Sequence, residues 1–328
     1  MNKSCSNPDC TVAQTGKCLL NHSLDACPSL VETVSASTPP AFGLPPVLAA
    51  PDSNVRLPPS LALDRDLAER LASKRPCTQV GILGLPASGK TAALVSLYLL
   101  VAKGLLEGFD FRNSLSLMAL EKLSRGARRW DTTSLPDQLT AHTEIADNRT
   151  AGYLHLRLHS TRHGFDLDLL LPDLPGEWTK SLIDTNRTDR LAFLKSCSAI
   201  WLFVDGRKLH DNATKQHALH RCEMVLRRLK AYLGQIVPTI TVVATHKDYG
   251  QLTSSIFDPL LGLAGELGID VRIHQIASFA QEHSTTVAGE GIAELIDGLC
   301  LSVGDQRWFE AERSGCSRSI GDYRGGEV

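Results

Sequence analysis

Residues 84–91 combine glycines, a lysine and a threonine at a spacing that can bind a chain of phosphates. The run Gly84-Leu85-Pro86-Ala87-Ser88-Gly89-Lys90-Thr91 matches G-x4-G-K-[ST] and lies between a strand-like and a helix-like apolar run. In such a loop backbone N–H groups surround the phosphates, the lysine reaches the β- and γ-phosphates, and the last hydroxyl ligates Mg²⁺. We therefore predict a nucleotide site formed by Gly84, Pro86, Ala87, Ser88, Gly89, Lys90 and Thr91.

A second motif, Asp173-x-x-Gly176, follows the apolar run Phe165–Leu171. It places an acidic side chain at the tip of a strand, where Asp173 can hold Mg²⁺ directly or through water. The N–H of Gly176 can face a γ-phosphate without interference from a Cβ atom. The next residue, Glu177, is predicted to orient the attacking water. An ordinary turn with a solvated or salt-bridged glutamate is the alternative.

Recognition of guanine is indicated by the run Thr245-His246-Lys247-Asp248. Guanine-binding proteins use [NT]-K-x-D, in which the carboxylate accepts hydrogen bonds from the N–H groups of the base. Thr245 and Asp248 fit this pattern, but His246 replaces the lysine and Lys247 occupies the variable position, so guanine specificity stays open. Ser278 lies in an Ala-Ser-Phe run, where a small-residue loop would contact the guanine carbonyl.

A threonine that caps Mg²⁺ is expected between the first helix after the phosphate loop and the second strand. Thr140, Thr143 and Thr150 are the candidates, and spacing does not separate them. We favour Thr140, which follows Pro136, because this polar stretch can reorder when a γ-phosphate binds. Lys90, Glu177 and Thr140 are then the predicted catalytic residues.

Short apolar runs alternate with longer amphipathic runs, which predicts an α/β fold with a mostly parallel six-stranded sheet and helices on both faces. The strands are predicted at Gln79–Leu83, Tyr153–Leu158, Phe165–Leu171, Ala199–Val204, Thr239–Ala244 and Val271–Ala277. Helices are predicted near Leu63–Leu71 and at Thr91–Lys103, Asn113–Arg129, Asn212–Leu233, Ile256–Leu267 and Ile292–Leu299. A ligand is expected at the carboxyl ends of the strands.

Four of the nine cysteines cluster before residue 28, at Cys5, Cys10, Cys18 and Cys27. Four thiolates suit zinc, although C-x-x-C pairs are missing, and a disordered or partner-docked tail is the alternative. A proline-rich, weakly charged stretch follows. We therefore divide the chain into a cysteine-rich segment (1–30), a linker (31–60), a nucleotide-binding domain (61–305) and a C-terminal tail (306–328).

Composition restricts the partners and the compartment. The net charge of the 328-residue chain is −2 without a long basic run, which argues against nucleic acid and membrane surfaces as partners. The longest apolar stretch, Ala92–Leu106, is interrupted by polar residues and is too short to span a bilayer. The first residues lack the apolar region of a secretory signal, so a cytoplasmic protein is predicted.

The motifs together resemble those of the bacterial double-GTPase families in the translation-factor-related GTPase class. The resemblance rests on residues 80–98 and 173–177 and covers most of 77–300, with a weaker likeness over the cysteines of 5–28. It implies a nucleotide-dependent switch in bacterial conflict or defence systems, acting with a partner GTPase and effector proteins. The residues themselves favour slow hydrolysis of GTP to GDP with Mg²⁺. A non-hydrolysing GTP-sensing adaptor and an ATPase of another P-loop class are the alternatives.

Overall fold

The computed structural model describes residues 3–5, 30–32, 62–128, 152–280 and 284–303. The chain divides into two compact units, Met1–Leu57 and Pro58–Val328. In the first unit, strands β1 (Lys3–Cys5) and β2 (Leu30–Glu32) form an antiparallel pair with Ser4 opposite Val31.

The second unit alternates strands and helices along the chain. In order, its elements are α1 (Arg65–Lys74), β3 (Thr78–Gly84), α2 (Lys90–Ala102), β4 (Phe109–Asn113), α3 (Leu117–Arg128), β5 (Tyr153–Ser160), β6 (Phe165–Pro172), α4 (Gly176–Thr185), β7 (Ala199–Val204), α5 (Gly206–His210), α6 (Asn212–Leu233), β8 (Thr239–Ala244), α7 (Asp258–Leu267), β9 (Val271–Gln275) and α8 (Ile292–Val303). Short 3₁₀ turns lie at Ala192–Ser196, Lys247–Tyr249 and Ser254–Phe257.

The strands of this unit form one sheet in the order β4-β5-β6-β3-β7-β8-β9. β4 and β5 pair antiparallel, as do β5 and β6, and the remaining neighbours are parallel. β7 is buried along its whole length, as expected for an apolar parallel strand covered on both faces. The carboxyl ends of β3, β6, β7 and β8 therefore meet at one edge of the sheet.

Two hydrophobic cores cover the two faces of this sheet. On one face, α4, α6 and α7 contribute buried residues such as Leu182, Leu226 and Leu260. On the other face, α2, α3 and α8 contribute buried residues such as Leu97 and Ile296. The predicted α/β fold with helices on both faces is thus confirmed. No helix of the described residues is long and apolar enough to cross a membrane.

The predicted number of six strands is wrong, because the described residues of the second unit form a sheet of seven. All six predicted strands are present, and the additional one is β4 at the edge of the sheet. Of its five residues only Phe109 is buried. The pairing of this strand with β5 depends on backbone hydrogen bonds more than on buried side chains, so its apolar signal is weak. Helix α4 was also not predicted, because its first residue belongs to the Asp173-x-x-Gly176 motif.

Candidate nucleotide-binding site

The phosphate loop connects the end of β3 to the start of α2, at the centre of the sheet. Its backbone is unusual, since Gly84, Ala87 and Gly89 have φ values of 153°, 60° and 90°. A Cβ atom on Gly89 would lie 2.8 Å from Cγ2 of Thr245. Glycine is therefore required there, both by conformation and by space. Ala87 adopts a left-handed conformation that alanine rarely takes, as is typical of loops that clamp a ligand.

Lys90 is buried in this loop and is held by its backbone. The ammonium donates to the carbonyl oxygens of Gly84 and Leu85, at 2.9 and 3.1 Å. Burial lowers the pKa of Lys90 to about 8, and the negative charges of Asp173 and Glu177 only partly oppose this shift. The carbonyl oxygens hold the ammonium where a phosphate oxygen could replace them.

Thr91 and Asp173 meet beside the phosphate loop, as the sequence predicts for a magnesium site. The hydroxyl of Thr91 donates to Oδ1 of Asp173 at 3.1 Å, so the first turn of α2 contacts the end of β6. A hydroxyl and a carboxylate oxygen are the hard ligands that Mg²⁺ prefers, usually with several waters retained. The residues present therefore fit this ion.

The first turn of α4 packs directly on the phosphate loop. A Cβ atom on Gly176 would lie 2.4 Å from the backbone nitrogen of Pro86, so only glycine fits there. The buried hydroxyl of Thr179 accepts a hydrogen bond from the N–H of Gly84 at 3.0 Å. Glu177 lies on the same turn and is exposed to solvent.

Thr179 was missed in the sequence because α4 itself was missed. The available signal was the apolar spacing of Trp178, Leu182 and Ile183, which are buried on one face of α4. A helix predicted from this spacing would have placed Thr179 one turn after Gly176, facing the loop.

The predicted base loop is attached to the phosphate loop through Thr245. Its buried hydroxyl lies 3.2 Å from the carbonyl oxygen of Ser88 and 3.2 Å from that of Val204. A Cβ atom on Gly206 would lie 2.1 Å from the carbonyl oxygen of Thr245. These contacts fix the loop after β8 between the phosphate loop and the end of β7.

The remaining base-loop residues differ in what they contact. Lys247 forms an ion pair with Glu290, with 2.6 Å between Nζ and Oε1, and its N–H donates to the carbonyl of Ile276. Ser278 is buried. Oδ1 of Asp248, the oxygen predicted to read the base, is also buried and has no hydrogen-bond partner among the described residues.

An ion pair next to this loop was not found in the sequence. Arg207 donates to both carboxylate oxygens of Asp205, with Nε–Oδ1 and Nη2–Oδ2 distances of 3.0 Å. Burial acts to raise the pKa of Asp205, but the hydrogen bonds and charge of Arg207 outweigh it and lower that pKa. Burial and the charge of Arg207 lower the pKa of His246, which favours the neutral imidazole. The position of Asp205 directly after β7 is the signal that could have identified it.

Several predicted residues lie outside the described part of the chain. These are Thr140, Thr143 and Thr150 among the switch candidates, and Cys10, Cys18 and Cys27 among the candidate zinc ligands. Cys5 lies in β1, but its side chain is also outside the described part. The residues that the structure does bring to one edge of the sheet are Gly84, Pro86, Ala87, Ser88, Gly89, Lys90, Thr91, Asp173, Gly176, Glu177, Thr245, Lys247, Asp248 and Ser278.

This sheet, with a G-x4-G-K-T loop after its central strand and an aspartate beside the threonine of that loop, defines a P-loop nucleotide-binding protein. The chain belongs to the Double-GTPase 2 family, whose model matches residues 78–300. The predicted resemblance to double GTPases is thereby confirmed for this part of the chain. No curated protein matches the sequence significantly.

Two solved structures of GTPases are similar to this chain. One is the signal recognition particle receptor SRb-GTP/SRX complex from Chaetomium thermophilum, with 14% identity, a TM-score of 0.38, and coverage of 64% of this chain and 94% of that one. The second is the Arl6 BBS3 small GTPase from Trypanosoma brucei with bound GppNp, with 14% identity, a TM-score of 0.38, and coverage of 70% and 98%.

Proposed function

We propose that this protein binds GTP with Mg²⁺ and hydrolyses it to GDP, acting as a nucleotide-dependent switch. The observation that carries the proposal is the buried Oδ1 of Asp248, which receives no hydrogen bond from the described part of the chain and lies on a loop that Thr245 attaches to the phosphate loop. A nucleotide that occupies both loops would give this oxygen the N–H donors of guanine. Calorimetry with GTP, ATP and XTP, followed by multiple-turnover assays, tests this function.

The phosphates are held by exchange of hydrogen bonds at Lys90. In the structure the ammonium donates to two loop carbonyls, and we propose that it transfers these bonds to β- and γ-phosphate oxygens. Backbone N–H groups of the loop and the N-terminus of α2 supply the remaining positive potential. The loop is already shaped by Gly84 and Gly89, so little reordering is needed.

Thr91 and Asp173 are the residues that would hold Mg²⁺. The bound ion would neutralise charge that develops on the phosphates during transfer. Gly176 is positioned by its contact with Pro86 so that its N–H can donate to a γ-phosphate oxygen. Thr140 would cap the ion when the nucleotide binds, and this role stays a prediction.

Glu177 is proposed to orient the attacking water. It follows Gly176 in the first turn of α4, it is exposed, and its charge acts on Lys90. It can therefore face the same space as the γ-phosphate. Loss of this carboxylate should leave nucleotide binding intact and slow only the chemical step.

Replacing Glu177 with glutamine is expected to slow single-turnover hydrolysis of GTP by at least about 100-fold, the typical contribution of a group that positions or deprotonates the nucleophile. Quenched-flow measurement of phosphate release with enzyme in excess checks this. Glu107→Gln, an exposed glutamate outside the site, is the matched control and should keep the parent rate. An unchanged rate in Glu177→Gln would remove this residue from the mechanism.

Nucleotide binding should also take up a proton at alkaline pH. In the free protein the pKa of Lys90 is about 8, so at pH 8.5 about three quarters of the molecules carry a neutral amine. A triphosphate favours the ammonium and raises this pKa, so affinity is full below pH 8 and falls as the pH rises through it. Calorimetry in buffers of different ionisation enthalpy at pH 7 and 8.5 measures the uptake. Equal uptake at both values would contradict this assignment, and Lys103→Met should behave like the parent.

The biological setting follows from the family resemblance. We propose that the protein acts in the cytoplasm with a partner GTPase or effector in a bacterial conflict system, and that the four clustered cysteines bind zinc. Hydrolysis assays with and without the partner separate a switch from an adaptor that binds GTP without turnover. Binding of ATP in preference to GTP would instead indicate an ATPase.

A further inference from the structure

A second group of potential ligands lies at the opposite end of the sheet from the phosphate loop. It contains His163, in the turn between β5 and β6, and Asp297 and Cys300 on α8. β6 starts at Phe165, near this group, and ends at Pro172, near the nucleotide site. At about 3.3 Å per residue this separates the two places by roughly 23 Å.

The donor atoms of the three residues already converge. Nε2 of His163 lies 3.0 Å from Oδ1 of Asp297, and one ligand atom from each of His163, Asp297 and Cys300 lies within 4.8 Å of the others. Asp297 and Cys300 are three residues apart, so they lie on the same face of α8, one turn apart. The antiparallel β5–β6 pair brings His163 to that face, although it is more than 130 residues away in sequence.

We propose that His163, Asp297 and Cys300 bind one divalent transition metal ion, with Zn²⁺ as the best match. A thiolate, an imidazole and a carboxylate are the ligand types that zinc combines, at about 2.0–2.3 Å each. Tetrahedral coordination at these lengths separates nitrogen and oxygen ligands by about 3.3 Å, close to the 3.0 Å between Nε2 and Oδ1. A water completes the fourth position. Mg²⁺ and Ca²⁺ are poor matches, because they require oxygen ligands.

The surroundings fit a metal site whose ligands are held in place. Oδ2 of Asp297 is bound by the guanidinium of Arg162 at 2.8 Å, which leaves Oδ1 directed at His163. The buried side chain of Ser160 is hydrogen-bonded to Cys300. Such outer contacts orient the ligands of metal sites. His163 and Asp297 are partly exposed, so an ion can enter from solvent.

A salt-bridge network or a reactive cysteine would account for less of this cluster than a metal does. The network would include Arg162, His163 and Asp297, but it gives no role to a thiol beside them, and Arg162 is 68% exposed, where ion pairs contribute little. A nucleophilic cysteine activated by a histidine would need access to a substrate. Cys300 is only 1% exposed, so that chemistry is excluded by burial.

Bound metal would cross-link the β5–β6 turn to the last turns of α8. The chain enters α8 directly after Glu290, which pairs with Lys247 of the base loop. The proposed site is therefore structural: it fixes the helix that follows the base loop without contacting the nucleotide. Metal binding at this site does not depend on the proposed GTPase function, so each can fail separately.

The test uses the full chain with Cys5, Cys10, Cys18 and Cys27 replaced by serine, so that the amino-terminal thiols cannot contribute. The protein is stripped with a chelator and titrated with Co²⁺, whose thiolate charge-transfer and visible bands report a tetrahedral sulfur-containing site. We expect saturation at one equivalent, displacement of Co²⁺ by Zn²⁺, and a higher melting temperature with Zn²⁺.

Variants then locate the site. Cys300→Ser should remove the charge-transfer band, and Cys300→Ser and Asp297→Asn should each weaken Zn²⁺ binding by at least about 100-fold, since loss of an outer contact alone costs 10–100-fold. Cys222→Ser removes another buried cysteine and should leave the titration unchanged. In the unmodified chain Cys300→Ser should lower the bound Zn²⁺ by one equivalent, a readout that does not depend on the serine background. Absence of the band in the parent, or its persistence in Cys300→Ser, overturns the proposal.

Discussion

Replacing Lys90 with methionine is expected to lower the affinity for GTP by about 10²–10⁴-fold. The ammonium would donate to two phosphate oxygens, and a hydrogen bond to a charged group contributes about 1.5–3 kcal/mol. Methionine keeps the length and apolar part of the side chain, so its effect isolates the charge. Equilibrium binding of a fluorescent GTP analogue, checked by calorimetry with unlabelled GTP in Mg²⁺, measures the loss.

The control for this substitution is Lys103→Met at the other end of the same helix. Lys103 is exposed and follows the last turn of α2, so its charge should not affect binding. Lys90→Met also leaves the carbonyls of Gly84 and Leu85 without their donor, and thermal unfolding of the nucleotide-free variant will show whether the loop stays folded. A folded Lys90→Met protein that binds GTP as tightly as the parent would refute the whole nucleotide assignment.

The phosphate loop could be predicted from sequence because its requirements are local. Gly89 must adopt a positive φ and leave space for Thr245, and both demands fix one residue type at one position. Gly176 is similar, since the backbone of Pro86 excludes any side chain. Where a single residue type satisfies the geometry, the motif and the structure coincide.

Other contacts of the site arise from pairings between distant segments, which no local pattern records. The Thr179 hydroxyl meets the N–H of Gly84, and Glu290 meets Lys247, only after the sheet has assembled. The same holds for His163 and Cys300, since the sequence identified scattered cysteines only as buried apolar residues. Strand β4 was missed because backbone pairing at an edge leaves little apolar signal.

Replacing Asp248 with asparagine is expected to change the preferred nucleotide from GTP to XTP. The carboxylate would accept from N1–H and the amino group of guanine, and an amide can instead donate to the carbonyl that xanthine carries in place of that amino group. Loss of one charge-assisted bond, with a donor facing a donor, should weaken GTP binding by at least about 100-fold. Competition of GTP, XTP and ATP against a fluorescent nucleotide measures the change.

The outcome also decides what His246 contributes. Its backbone has a φ of 58°, and its imidazole lies among the charges of Arg207, Asp205 and Asp248, where burial favours the neutral form. It cannot provide the cation of the usual lysine, so discrimination must depend more strongly on Asp248. Asp110→Asn, at an exposed position on β4, should retain GTP preference. If Asp248→Asn still prefers GTP over XTP, the buried oxygen of Asp248 does not read the base.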